Sequence, residues 1–102
     1  MLPTLSVIIP NYNHGASLER AVAAILSQAH APDEILLIDD GSTDNSQEVI
    51  LGLAEKFPLI KAVLHDQNAG STQRVNQGLQ SARGDWLAFC AADDCLLPGF
   101  FL

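Results

Sequence analysis

The chain has 102 residues, enough for one compact domain, and 48% of them are hydrophobic, so a core can form without disulfide or zinc staples. Twelve acidic residues against five Lys and Arg give a net charge of −7, which argues against a nucleic-acid partner held through phosphates. No apolar run reaches the ~18–20 residues of a membrane span, and the start has neither the basic nor the apolar segment of a secretory signal. The expectation is a cytoplasmic protein, its full-length form open to peripheral membrane association.

The apolar pattern alternates between continuous runs and helical spacing. Leu5 to Ile9 reads as a first strand closed by Pro10. Leu18, Ala21, Val22, Ile25 and Leu26 then recur as one helix face, with Ser17 as a candidate N-cap and Pro32 as a stop. Ile35 to Ile38 is a second strand, followed by the turn cluster Asp39-Asp40-Gly41-Ser42. Asp44 and Gln47 have the spacing of a capping box for a second helix, which turns Val49, Ile50, Leu53, Ala54 and Phe57 inward and ends before Pro58. Ile60 to Leu64 reads as a third strand. Ser71 to Ala82 reads as a third helix with Val75, Leu79 and Ala82 on one face and Gly84 just past its end. Trp86 to Cys90 reads as a fourth strand, with Trp86 and Phe89 in the core and Cys90 packed as a small hydrophobe.

Apolar strands separated by helices predict an α/β fold: three layers, α/β/α, around a mainly parallel sheet. Ligands of such sheets bind beyond the carboxyl ends of the strands, where strand order reverses. Those ends read Pro10-Asn11-Tyr12-Asn13, Asp39-Asp40-Gly41-Ser42, His65-Asp66-Gln67-Asn68 and Ala91-Ala92-Asp93-Asp94, so the notable polar clusters share one rim. The first turn is neither GxGxxG nor GxxxxGK[ST], which disfavours a dinucleotide-binding domain and a P-loop NTPase. Without a glycine cradle, a diphosphate can still be held by a cation on carboxylates. Tyr12 offers a face for a base. His14, His30 and His65 have no partners at metal-ligand spacing. The pattern of a phospho-receiver is missing too: the first strand ends without acids and no lysine follows Lys61.

The run from Leu5 to Asn13, the segment Ile38 to Asp44, Gln67-Asn-Ala-Gly70 with Arg74 and Asn76, and Gly84 to Phe89 leading to Asp93-Asp94 together resemble glycosyltransferase family 2. Nearly the whole chain takes part, with four motifs in order. The resemblance implies a Rossmann-like GT-A half-domain and inverting, metal-assisted transfer of a sugar from a nucleotide-diphosphosugar to an acceptor hydroxyl. A UDP-sugar is the leading donor, although the sequence does not itself separate UDP from GDP or dTDP.

Carried over to this chain, the resemblance places Pro10, Asn11 and Tyr12 around the base and ribose. Asp40 would meet the base edge with Asp39 beside it, and Gly70 and Arg74 would close over the base and diphosphate. Asp93, also a substrate contact, and Asp94 fall at the acidic motif that holds Mg²⁺ or Mn²⁺. That motif reads Asp-x-Asp-Asp in the family and has Ala91 at its first position here. The family's acceptor site and general base belong to a further part of the domain, expected beyond Leu102, so residues 1–102 are expected to bind donor as one truncated N-terminal part and to be inactive alone. The apolar end Pro98 to Leu102 reads as a cut edge, open to self-association. The alternative is a nucleotide-binding or regulatory module without turnover.

Overall fold

The structure, a computed structural model, describes residues 4–27 and 32–90, with Ser71 by its backbone only. Seven elements alternate: β1 (Leu5–Asn11), α1 (Gly15–Leu26), β2 (Glu34–Asp40), α2 (Ser46–Lys56), β3 (Ile60–His65), α3 (Ser71–Ser81) and β4 (Trp86–Phe89). The four strands form one parallel sheet in the order β3-β2-β1-β4. The chain steps outward from β1 to β3, and α3 then carries it back across to the far side of β1. Strand order therefore reverses between β1 and β4, beside the carboxyl end of β1.

Alternation along the strands divides the core. Val7 and Ile9 of β1 with Ile35 and Leu37 of β2 face α1 and α2, where they meet Leu18, Val22, Ile25, Ile50 and Leu53. Ile8, Leu36 and Ile38 face the other way, toward α3, with Val63 and Ala82 against them. Each fully buried aliphatic side chain contributes about 1.5–3 kcal/mol relative to exposure, so the larger cluster dominates the fold.

Several boundaries differ from the sequence expectation. Pro10 does not close β1, which runs on to Asn11. Pro10 has the parity of Ile8, whose carbonyl accepts from Cys90 on the β4 side, and β4 pairing ends at Ile8–Phe89. The missing N–H of Pro10 thus falls where the ladder has already stopped. Asp39 and Asp40, expected in a turn, are the last residues of β2. Helix α1 starts at Gly15, so Ser17 lies inside it and the cap position falls to His14. The capping box is not formed: Gln47 reaches away, to Asp39 and the His65 carbonyl.

The third helix is rotated from the expected face. Among its described side chains the buried positions are Arg74 and Gly78, and Leu79 is exposed. A Cβ on Gly78 would sit 2.7 Å from Ile8 Cγ2 and 3.2 Å from Ile38 Cδ1, so the missing side chain is what lets α3 lie directly on the sheet. Trp86 and Phe89, expected in the core, are 64% and 46% exposed. Among the described residues β4 is an edge strand with no strand beyond it, which leaves apolar side chains bare on both faces. Cys90 is buried, as expected.

Candidate functional site

The strand ends on the carboxyl rim are built from two polar clusters on opposite faces of the sheet. Adjacent strand residues point to opposite sides, so Asp39 and Asp40 diverge. Asp39 joins the α1/α2 side and Asp40 the α3 side.

Asp39 has no exposed surface and gathers the end of β1, the β2–α2 turn and α2. Its Oδ1 accepts from Asn11 Nδ2 at 2.9 Å and from Ser42 Oγ at 2.6 Å; its Oδ2 accepts from the Ser42 N–H at 2.9 Å and Gln47 Nε2 at 3.0 Å. Asn11 and Asp39 are register partners on β1 and β2, which brings their side chains together without any loop rearrangement. Burial alone would raise the Asp39 carboxyl, but the Ser42 hydroxyl and amide, Gln47 and Asn11 outweigh it and hold the group below its ordinary value. Asn11 is 1% exposed; its amide is spent on Asp39 and Ser42, while its buried Oδ1 has no donor.

Asp40, 3% exposed, organises the β3–α3 loop. Its Oδ1 accepts from the Ala69 N–H at 2.8 Å and Arg74 Nε at 2.7 Å, and its Oδ2 accepts from the Gly70 N–H at 3.0 Å. Burial pushes this carboxyl up, and the Ala69 amide, Arg74 and the Gly70 amide overcome that push, so it too lies below the usual range. Arg74, 5% exposed, gives Nη2 to the Gln67 carbonyl at 2.8 Å and Nη1 to Gln77 at 3.2 Å. The guanidinium expected over a base and diphosphate thus spends three of its five N–H donors inside the protein. Gly41 lets the two loops touch: its φ is +73°, and a Cβ there would stand 2.5 Å from the Gln67 carbonyl carbon.

Tyr12 follows the last residue of β1 and is 43% exposed, with no hydrogen bond of its hydroxyl among the described residues. Asn13 follows at φ 58°, its Oδ1 accepting from the Thr43 and Asp44 amides. Asp44 in turn accepts from the Gly15 N–H at 3.0 Å and the Ser46 N–H at 2.8 Å, tying the starts of α1 and α2 together.

The structure therefore brings Pro10, Asn11, Tyr12, Asp39, Asp40, Gly70 and Arg74 to one rim, in two separate contact groups: Asn11 with Asp39, and Asp40 with Gly70 and Arg74. Asp93 and Asp94, with Ala91, lie outside the described residues, as do His30 and Cys95. Among the described residues no group of three or more His, Cys, Asp or Glu side chains could hold a metal ion. The cation expected on Asp93 and Asp94 has no cage in the described part of the rim, where Asp39, Asp40 and Asp44 are each committed to internal donors. Sequence reasoning missed Ser42 and Gln47 as partners of Asp39, and Gln67 and Gln77 as partners of Arg74. For Ser42 a signal existed, because Asp-x-Gly-Ser is a turn in which the side chains bond back to the backbone.

The comparisons agree with this architecture. An uncharacterized glycosyltransferase of Nostoc sp., alr2836, is 43% identical over 92% of this chain and 29% of its own length. The mannosyltransferase PcManGT from Pyrobaculum calidifontis, solved with GDP-Man and Mn²⁺, superposes with a TM-score of 0.83 at 27% identity, over 93% of this chain and 29% of that one. Residues 1–349 of S. aureus TarS, solved with UDP-GlcNAc, give 0.79 at 26% identity, over 90% of this chain and 28% of that one. The chain thus spans under a third of the length of these relatives. Residues 6–102 match the family described as glycosyl transferase family 2, and the chain belongs to that family.

Proposed function

We propose that this chain is the donor-binding part of an inverting glycosyltransferase, holding the nucleotide of a nucleotide-diphosphosugar at the carboxyl ends of β1 and β2. The observation that carries the reading is the gathering of Asn11, Tyr12, Asp39, Asp40 and Arg74 on the carboxyl rim, beside the place where strand order reverses. Tyr12 offers its exposed ring to the base. Asp39 holds the first turn from below, and Asp40 with Gly70 and Arg74 shapes the loop on the far side of the base.

Charge supports a cation. Arg74 is neutralised by Asp40 at 2.7 Å, so a diphosphate arriving at this acidic rim needs positive charge from elsewhere. Asp93 and Asp94 would hold Mn²⁺ or Mg²⁺, which supplies Lewis-acid stabilisation of the departing diphosphate. That PcManGT was solved with Mn²⁺ favours the same requirement here. The neighbours divide between GDP and UDP sugars, so the donor is proposed as a class, with UDP-sugars the first to test. In the transfer, the acceptor oxygen bonds to the anomeric carbon as the bond from that carbon to the diphosphate oxygen breaks. The nucleoside diphosphate leaves with the electron pair, and the acceptor proton passes to a base expected beyond Leu102.

Calorimetric titration of UDP and GDP into the full-length protein tests this. Binding is expected with Mn²⁺ and not without it, and Asp94→Ala is expected to abolish the metal dependence. Unchanged titrations in that variant would remove the metal assignment, and absence of binding to either nucleotide would remove the reading.

A further inference from the structure

Tyr12 is flanked by two asparagines that are held in different ways. Asn11 is fixed in the sheet by Asp39 and Ser42, beneath the surface. Asn13 is exposed and lies at φ 58°, in the left-handed region that asparagine tolerates better than most residues. Its Oδ1 accepts from the Thr43 N–H at 2.8 Å, the Asp44 N–H at 3.2 Å and the Thr43 hydroxyl at 3.4 Å. Its own N–H donates to Ser42 Oγ at 2.9 Å. One side chain therefore joins the β1–α1 turn to the β2–α2 turn, 30 residues away in sequence.

Tyr12 has no hydroxyl hydrogen bond to orient it among the described residues, so what the backbone at Asn11 and Asn13 sets is the direction in which its Cα–Cβ bond leaves the turn. The Asn11 anchor is part of the core. The Asn13 anchor is a surface latch and can be removed with far less disturbance.

We propose that Asn13 is the positioning residue of the nucleotide site, locking the two turns together so that Tyr12 presents its ring to the base in one orientation. The inference rests on the reading that Tyr12 faces a base. It separates two properties of Asn13 that substitutions can dissect. Asn13→Gly keeps the left-handed backbone without strain but removes the acceptor. Asn13→Asp keeps an acceptor oxygen for the Thr43 and Asp44 amides and still tolerates positive φ.

The test is a double-mutant cycle on the full-length protein, with Kd for UDP and for GDP measured by calorimetry in the presence of Mn²⁺. Asn13→Gly is expected to weaken the bound nucleotide about tenfold, the effect of losing a pair of neutral hydrogen bonds at the surface. Asn13→Asp is expected to stay within about threefold of the parent, because both amides keep their partner. In a Tyr12→Ala background, Asn13→Gly is expected to add nothing further, since it acts through the ring. A merely structural residue would give the same loss in both backgrounds. The proposal is overturned if Asn13→Gly binds like the parent, if Asn13→Asp is as weak as Asn13→Gly, or if the loss persists undiminished without Tyr12. If the parent binds neither nucleotide, the base-facing reading of Tyr12 has failed and the inference falls with it. If the parent binds and the cycle is additive, the inference alone has failed.

Discussion

Asp40→Asn isolates the buried pair on the α3 side of the rim. Asp40 and Arg74 have side chains only 4% and 6% exposed, and they meet at 2.7 Å. The substitution leaves the Arg74 guanidinium buried without a counter-charge. It also turns an acceptor of three donors, Ala69 N–H, Gly70 N–H and Arg74 Nε, into a group with one acceptor oxygen. Breaking a buried pair from one side costs about 3–5 kcal/mol. A domain of this size has roughly 5–15 kcal/mol in total, so the loss is a large fraction. At ~2 °C or more per kcal/mol in the larger full-length protein, the thermal midpoint is expected to fall by at least about 6 °C. Differential scanning calorimetry on parent, Asp40→Asn, Arg74→Met and the double variant reads this directly. The double variant is expected to recover part of the loss, because no lone charge then remains inside. A change below about 1 kcal/mol in Asp40→Asn would refute the reasoning, since the pair would then be no stronger than an exposed surface ion pair.

Other consequences follow from the same geometry. Gly78→Ala is expected to destabilise, as overpacking against Ile8 and Ile38 at about 1–3 kcal/mol exceeds the roughly 1 kcal/mol gained in helix propensity; Gly52→Ala, with nothing within 4 Å, is expected to stabilise by about 1 kcal/mol, and urea midpoints for the two should move in opposite directions. On the opposite rim, burial would raise Glu34, but Ser6, the Arg83 amide and Lys61 together lower it from 4.5 to about 2. Its folded value is depressed, so its contribution is present above about 4.5 and is lost as pH falls toward about 2; in Glu34→Gln that part of the acid unfolding curve should flatten. Tyr12→Ala is expected to weaken nucleotide binding by about 1–2 kcal/mol with little change in thermal midpoint, as loss of one stacking face implies.

Much of this was legible in the sequence because the signals were periodic. The continuous runs around Val7 and Ile35 read as buried parallel strands and are buried, the run at Ile60 forms a strand buried only at its first residue, and their shared polar ends marked the rim. The rotation of α3 was not legible: Val75 and Leu79 make the more apolar face, yet Arg74 and Gly78 are buried because Asp40 supplies a counter-charge and Ile8 and Ile38 need the space of a missing side chain. A hydrophobic stripe cannot anticipate a charge pair formed across 34 residues. Asp39 and Asp40 read as one acidic turn because a pair of letters does not say where a strand ends. Once β2 extends to Asp40, pleating sends them to opposite faces and gives each a different task. Trp86 and Phe89 carry the composition of an interior strand, and their exposure reflects the edge position of β4 among the described residues.

The most direct test is an experimental structure of the full-length protein with UDP or GDP and Mn²⁺. The account requires the base against the Tyr12 ring and the diphosphate beyond the carboxyl end of β1. A nucleotide lodged instead among Lys61, Arg83 and Glu34, at the amino ends of the strands, would contradict it.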